Sequence, residues 1–197
     1  MLFKTGFLAS HALEAMAFLQ TGASPELNQP DLQLHFFHVV LSHVPQYIAS
    51  SGTDWSRVHD PNQPICGITM APTLLHPRSI GSVTLRSADP LAPPVIDANY
   101  LADPHDLRVL VEGMKIDRKL AAQPVYKGHL GEELVDGTIP HDPSSDAYLE
   151  EYVKRYAVTV YHPVGTCKMG PASDPLVVVD RTLWRCSSAR RPGGRGI

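Results

Sequence analysis

The segment from Tyr161 to Gly170 holds the residues best suited to chemistry, in the order Tyr-His-Pro-Val-Gly-Thr-Cys-Lys-Met-Gly. A proline keeps the residue before it out of the helical region, so Pro163 should hold His162 in extended backbone. Gly165 permits a tight turn directly afterwards. An imidazole presented in this way could exchange a proton with a substrate hydroxyl near neutral pH. The same pattern also fits a structural histidine in a loop, and on these residues alone the structural interpretation is the favoured one.

The elements before this segment should position His162. Apolar residues recur at helical spacing after Ser144–Asp146, at Leu149, Tyr152, Val153 and Tyr156, which predicts an amphipathic helix. The helix leads directly into Ala157–Tyr161, which we predict to be a strand. We therefore expect His162 at the end of a strand, facing a cleft.

The rest of the chain predicts several strands and one further helix. The N-cap Asp103 and the first-turn Pro104 begin a helical pattern that stops at Pro124. In 81–87, Val83 and Leu85 share one face, which is typical of a half-exposed antiparallel strand. Because regular βαβ alternation is missing, we predict an α+β fold, a largely antiparallel sheet with helices on one face. The predicted strands are Leu32–Leu41, Ile65–Leu75 and Gly81–Ser87.

Composition favours a protein that acts on small molecules. The 197 residues are 43% hydrophobic and 19% charged, enough for one ordinary core, and the net charge of −3 offers no basic excess for nucleic acid. No apolar run reaches the length of a membrane span. We expect a soluble, cytoplasmic chain without a membrane span, and the oligomeric state stays open.

Neither the cysteines nor the histidines predict a metal site. Cys66, Cys167 and Cys186 lie far apart, without a C-x-x-C pair. His35 and His38 are three residues apart on a predicted strand, which directs them to opposite faces. We therefore predict no bound metal.

Several segments in order resemble the glucose-methanol-choline (GMC) oxidoreductases. The His162 segment resembles their catalytic-histidine signature, and residues 77–90 are similar to the pattern P-x-S-x-G-x-V-x-L-x-S-x-D-P. Residues 94–104 resemble P-x-I-x-x-x-Y-L-x-D, residues 4–15 resemble T-G-x-L-x-S-N-x-x-E-A, and residues 30–36 resemble P-D-x-Q-x-H-F. Together these matches span residues 4–180.

The resemblance implies a substrate-binding domain over residues 1–180 of an FAD-dependent oxidoreductase. Such enzymes oxidise the CH-OH group of choline or another primary alcohol by passing hydride to flavin. His162 would then be the catalytic base. His11, which stands where asparagine is common in the family, and Tyr161 would line the substrate pocket. For choline, Trp55 and Tyr161 are the candidate aromatic faces for the quaternary ammonium.

Two departures from the family pattern separate this chain from a complete enzyme. No G-x-G-x-x-G turn is present to hold the FAD pyrophosphate, so we expect most of the FAD site to be missing and the chain alone to be inactive. After Asp180 an arginine- and glycine-rich stretch replaces the expected L-R-V strand and D-A-S turn. We expect residues 181–197 to be an aberrant, disordered tail, and a frameshift is our hypothesis for its origin. The alternative is a domain without flavin that binds an alcohol or a partner, or a non-catalytic remnant.

Overall fold

The computed structural model describes residues 13–38, 67–171, 173–174 and 177–183. Two compact units divide the chain. The first comprises Met1–Ser79 and Leu101–Ala157, and the second comprises Ile80–Tyr100 and Val158–Ile197. The prediction of one domain over residues 1–180 stays a prediction.

The first unit is built on a three-stranded antiparallel sheet. Its strands are β1 (Leu13–Leu19), β2 (Leu32–Phe37) and β3 (Thr69–Leu74), with β2 in the centre. Leu32 and Leu34 are both buried, and alternation along the strand puts them on the same face. That face is the apolar side of the sheet.

The helix α1 (Pro104–Ala121) packs against β2 and β3. Its N-cap Asp103 accepts a hydrogen bond from the backbone N–H of His105 at 2.8 Å, which satisfies one of the free N–H groups at the helix start. The buried Asp106 accepts the backbone N–H groups of Arg78 and Ser79 at 2.8 and 3.0 Å. The helix predicted from Asp103 is confirmed.

The helix α2 (Asp146–Tyr156) packs against α1. Its N-cap Ser145 accepts a hydrogen bond from the backbone N–H of Tyr148 at 3.2 Å. Leu149 and Val153 are buried in the cluster that includes Val111 of α1. This second predicted helix is also confirmed, and with the antiparallel sheet it establishes the predicted α+β class.

Gly113 lies in the interior of α1 and faces side chains of the sheet. A Cβ there would lie 2.6 Å from Cβ of Pro72 and 3.0 and 3.1 Å from the two methyl carbons of Leu32. Glycine normally costs a helix interior about 1 kcal/mol relative to alanine, so this close packing is the physical reason for its presence.

We predict that Gly113→Ala lowers the free energy of unfolding by about 1–2 kcal/mol. Overpacking typically costs about 1–3 kcal/mol, and the better helix propensity of alanine offsets part of that cost. Urea denaturation measures the difference. Gly131→Ala is the control, since nothing lies within 4 Å of its added Cβ. A Gly113→Ala variant as stable as the starting chain would contradict close packing.

The second unit contains a short β-hairpin. In it, β4 (Ser82–Thr84) pairs antiparallel with β5 (Val95–Asp97). Gly81 lies against the backbone carbonyls of Asp97 and Ala98, so close that a Cβ would collide with both. Farther along the chain, Met169 and Val179 form an isolated parallel bridge.

The structure corrects one predicted strand and shortens another. Residues 157–161 form no strand, and no described residue pairs with them in a ladder. The prediction of a strand at Ala157–Tyr161 is therefore wrong, because an apolar run becomes a strand only where a neighbour accepts its backbone hydrogen bonds.

The strand predicted over 81–87 is confirmed only as β4, with Val83 and Leu85 both exposed. The predictions at Leu32–Leu41 and Ile65–Leu75 are confirmed as β2 and β3, while residues 39–41 and 65–66 lie outside the described residues.

Candidate functional site

His162 lies in an exposed loop of the second unit, between the end of α2 and the Met169–Val179 bridge. Its side chain is open to solvent. It therefore does not stand at the end of a strand, as the sequence predicted. An exposed imidazole on a loop can meet a substrate or a partner surface directly.

The backbone on both sides of His162 is restricted. Tyr161 has a φ of 62°, in the left-handed region that residues other than glycine rarely adopt. Its backbone N–H donates a hydrogen bond to Oγ1 of Thr159 at 3.0 Å, and Pro163 restricts the other side. No described residue pairs with residues 157–162 in a ladder, but the local chemistry restricts the backbone on both sides of His162.

A second set of contacts fixes the loop beyond His162. Gly165 has a φ of 104°, which glycine adopts without steric cost. The backbone N–H of Val178 donates to the carbonyl of Lys168 at 2.9 Å, and that of Gly170 donates to the carbonyl of Val179 at 3.1 Å. The loop that carries His162 therefore ends at a hydrogen-bonded anchor within its own unit.

The left-handed backbone at Tyr161 gives a testable prediction. A β-branched residue is poorly tolerated in this region, where the conformation costs roughly 1–2 kcal/mol. We expect Tyr161→Val to open the hydrogen bond to Thr159 and to speed amide exchange at position 161 by roughly tenfold. Tyr161→Asn is the matched control because asparagine tolerates the left-handed region. Hydrogen exchange followed by NMR measures both, and equal rates in the two variants would contradict the assigned backbone conformation.

The predicted substrate pocket is only partly described. Tyr161 is 71% exposed and precedes His162 directly in the chain. His11 and Trp55 both lie outside the described residues. Their grouping with Tyr161 into a pocket therefore stays a prediction.

His35 of β2 and His38, which follows the end of that strand, each have a protein partner. Nδ1 of His35 lies 3.2 Å from Oγ1 of Thr73, and Nδ1 of His38 lies 3.2 Å from a carboxylate oxygen of Glu14. Burial lowers the pKa of His35. Within residues 13–38, 67–171 and the short stretches that follow, no three potential metal ligands come together. Cys167 is exposed, while Cys66 and Cys186 lie outside the described residues.

A groove of about 470 Å³ lies in the first unit, and none of the residues that line it is a predicted site residue. Its wall carries the charged side chains of Arg108, Glu112, Asp146 and Glu150. Lys115 forms ion pairs of 2.9 Å with both Glu112 and Asp146. Its hydrogen bonds raise the pKa of Lys115, the one to Asp146 more than the one to Glu112. The ion pairs with Lys115 neutralise part of the negative charge in the groove wall. No sequence pattern had predicted this groove.

Asp117 on α1 has the most strongly raised carboxyl pKa among the described residues. Burial raises it from 3.8 to about 7, because a charged carboxylate is poorly solvated there. Its Oδ1 atom is buried and has no hydrogen-bond partner within the described part of the chain. No sequence motif marked this residue.

The described residues were compared with the usual architecture of a dinucleotide site. A dinucleotide site of the usual kind needs a strand, a glycine-rich turn and a helix whose N-terminus meets the pyrophosphate. The strands of the described sheets are antiparallel, and the described residues include no such unit. No described helix is both long and apolar enough to cross a membrane.

Comparison with known proteins identifies the family. A family model described as GMC oxidoreductase matches residues 77–186, more than half of the chain. The chain therefore belongs to the GMC oxidoreductase family. This match includes β4, β5, both α-helices and the His162 loop.

The curated relatives are oxidoreductases much longer than this chain. It is 36% identical to alcohol dehydrogenase [acceptor] of Pseudomonas putida over 180 residues, which cover 91% of this chain and 29% of that protein. It is also 36% identical to an oxygen-dependent choline dehydrogenase of Rhizobium etli, with the same coverage. Glucose dehydrogenase [FAD, quinone] of Drosophila pseudoobscura is 36% identical over 187 residues, 93% of this chain and 29% of that protein. The chain spans less than a third of each relative.

Solved structures agree with this assignment. Pyridoxine 4-oxidase from Mesorbium loti matches with a TM-score of 0.64 and 25% identity, over 88% of this chain and 30% of that one. Formate oxidase matches with a TM-score of 0.61 and 26% identity, over 90% of this chain and 32% of that one. The similarity in both cases covers the greater part of the present chain.

Proposed function

We propose that this chain is the substrate-binding portion of an FAD-dependent oxidoreductase that oxidises the CH-OH group of a small alcohol. The observation that carries the proposal is the His162 loop, an exposed imidazole within the region that matches the GMC family. Flavin would enter as a cofactor held largely by residues outside those described. Relatives named alcohol, choline and glucose dehydrogenase support an alcohol as the substrate class.

The role that we assign to His162 is proton transfer. Converting an alcohol to a carbonyl compound removes two electrons and two protons, one of them from the hydroxyl group. A neutral imidazole nitrogen within hydrogen-bond distance of that hydroxyl can accept its proton. The carbinol hydrogen leaves as hydride, for which a flavin is a suitable acceptor.

The restricted loop favours this role over that of a mobile surface histidine. A catalytic base must lie within about 2.6–3.2 Å of the proton that it removes. The left-handed Tyr161 and the following Pro163 limit the backbone of His162 before any substrate binds. Such preorganisation reduces the conformational freedom that a base would otherwise lose on binding substrate.

The proposal names a class of substrate, the small alcohols, and no individual alcohol. A quaternary ammonium such as that of choline would need aromatic faces, and Tyr161 offers one exposed ring beside His162. Trp55, the second candidate face, lies outside the described residues. A panel of alcohols with and without a cationic group therefore tests this proposal.

The decisive experiment joins this chain to a flavin-binding portion. The chain is joined to the flavin-binding portion of the Drosophila glucose dehydrogenase relative, that is, to the part of that protein that this chain does not match. After purification with FAD, each alcohol of the panel is added without oxygen and the visible absorbance of the flavin is followed. We expect at least one alcohol to bleach the flavin, and we expect the 197-residue chain alone to neither hold FAD nor react.

The opposite result is equally informative. A joined protein that holds FAD and is reduced by dithionite, yet by no alcohol, would overturn the proposal. The chain would then be better described as a binding domain without redox activity.

A further inference from the structure

Thr159 carries the side chain that holds the backbone just before His162. Its Oγ1 atom accepts a hydrogen bond from the backbone N–H of Tyr161 at 3.0 Å. Threonine hydroxyls form such local turns with the backbone two residues further on. Among the described residues, no other hydrogen bond reaches the stretch 158–165. The hydroxyl of Thr159 is therefore the main restraint that the described residues place on this part of the loop.

The restrained conformation is one that tyrosine usually avoids. Tyr161 has a φ of 62°, in the left-handed region where Cβ comes too close to the carbonyl oxygen that follows it. The cost of this conformation is of the same order as the net contribution of one hydrogen bond. Without the threonine hydroxyl, the extended and right-handed conformations become more favourable for Tyr161. The hydroxyl therefore shifts the balance between two backbone conformations.

The conformation of Tyr161 determines where the imidazole of His162 points. Moving Tyr161 from its φ of 62° to an extended or helical conformation rotates the backbone by more than about 100°. Because His162 is the next residue, its side chain changes direction with that rotation. Pro163 restricts the backbone of His162 itself and does not act on the φ of Tyr161. The two restraints are therefore independent.

We propose that Thr159 is a positioning residue for proton transfer by His162. Its hydroxyl keeps Tyr161 left-handed, and the left-handed Tyr161 keeps the imidazole in the direction from which it reaches a substrate hydroxyl. The threonine oxygen is the acceptor in its hydrogen bond to Tyr161, and it does not receive the proton of the alcohol. The inference rests on the proposed function, since it assumes that His162 is the base.

The first test measures backbone order in the 197-residue chain and needs neither flavin nor alcohol. Thr159→Val removes the hydroxyl but keeps a β-branched side chain of nearly the same shape. We expect the NMR order parameter of the His162 backbone N–H to fall to roughly 0.6 or lower, the range of a flexible backbone. Thr159→Ser keeps the hydroxyl and should retain the order of the starting chain.

Thr166→Val is the matched control for both tests. It makes the same chemical change in the same loop, at an exposed threonine that has no hydrogen-bond partner among the described residues. It should leave the order of His162 unchanged. Circular dichroism checks that each variant keeps its secondary structure. If Thr159→Val loses secondary structure, Thr159→Ala is measured in its place, with the same pattern expected.

The second test measures flavin reduction in the protein joined to a flavin-binding portion. We expect Thr159→Val to lower the limiting rate of reduction by alcohol about three- to tenfold, as the loss of one hydrogen bond predicts. The alcohol concentration that gives half of this rate should stay the same, because the proposed role lies in proton transfer and not in binding. The pH dependence of the rate should keep its midpoint, because His162 remains the base. Thr159→Ser should restore the rate.

Three results would overturn the positioning role: unchanged order of His162 in Thr159→Val, the original rate of flavin reduction in that variant, or no recovery in Thr159→Ser. A shifted pH midpoint would place Thr159 on the path of the proton and would also overturn it.

The positioning role and the proposed function can fail separately. If His162→Ala slows flavin reduction but Thr159→Val does not, only the positioning role is wrong. If no alcohol reduces the flavin of the joined protein, the proposed function is wrong, and the role of Thr159 in proton transfer is wrong with it, whatever the order of His162.

Discussion

Replacing His162 by alanine should lower the turnover of alcohol by about 10²-fold or more in the protein joined to a flavin-binding portion. General base catalysis contributes typically about 10²–10⁴-fold, and alanine has no group that could take the hydroxyl proton. The rate of flavin reduction at saturating alcohol measures the loss directly. Because His162 is exposed, the substitution should leave flavin content and stability unchanged.

His129→Ala is the matched control for this prediction. His129 is also exposed but lies in the first unit, and its removal should leave the rate of flavin reduction unchanged. His162→Gln adds a second comparison, since glutamine keeps hydrogen-bonding capacity but is not a base at neutral pH. A His162→Ala protein that turns over alcohol at the original rate would remove His162 from the chemistry and leave the family assignment intact.

The parts of the fold that sequence predicts well are those determined locally. The start of α1 depends on the Asp103 side chain and Pro104, which act on the first helical turn whatever surrounds them. The apolar spacing of Leu149 and Val153 similarly specifies the buried side of α2. Both helices could therefore be predicted from short windows of sequence.

The strands depend on distant partners and were harder to predict. β1 has the sequence Leu-Glu-Ala-Met-Ala-Phe-Leu, which is rich in helix-forming residues, and no strand was predicted there. Its pairing with β2 overrides that preference. Residues 157–161 show the converse, since their apolar pattern has no described strand beside it.

The candidate site also contains some features that the sequence predicts and others that only the structure reveals. The restriction of His162 follows from its neighbours Pro163 and Gly165, and the turn that the sequence predicts after it is present at residues 166–167. The left-handed φ of Tyr161 could not be anticipated, because no local rule favours it for tyrosine. The burial of Asp117 depends on packing around α1, so only the structure reveals its raised pKa.

Asp117 should make the chain less stable as the pH rises from about 4 to about 7. Its pKa is 3.8 when exposed and about 7 in the folded chain, so across this interval the folded state keeps a proton that the unfolded state has released. Stability therefore falls with rising pH and stays low above the folded pKa. One pKa unit corresponds to about 1.4 kcal/mol, so a shift of about three units is worth about 4 kcal/mol.

Asp117→Asn should accordingly raise the free energy of unfolding by about 2–4 kcal/mol at about pH 8 and change it little at about pH 4. Asparagine nearly matches the shape of aspartate but carries no charge, and its buried amide keeps part of the desolvation cost. Urea denaturation across this pH range measures the difference between variant and starting chain. Glu132→Gln, which removes an exposed carboxylate, should show almost no difference at either pH. An equal increase in the free energy of unfolding at both pH values would contradict the prediction. It would mean that Asp117 is already ionised in the folded chain at about pH 4. A carboxyl that keeps its proton up to neutral pH produces an increase only at high pH.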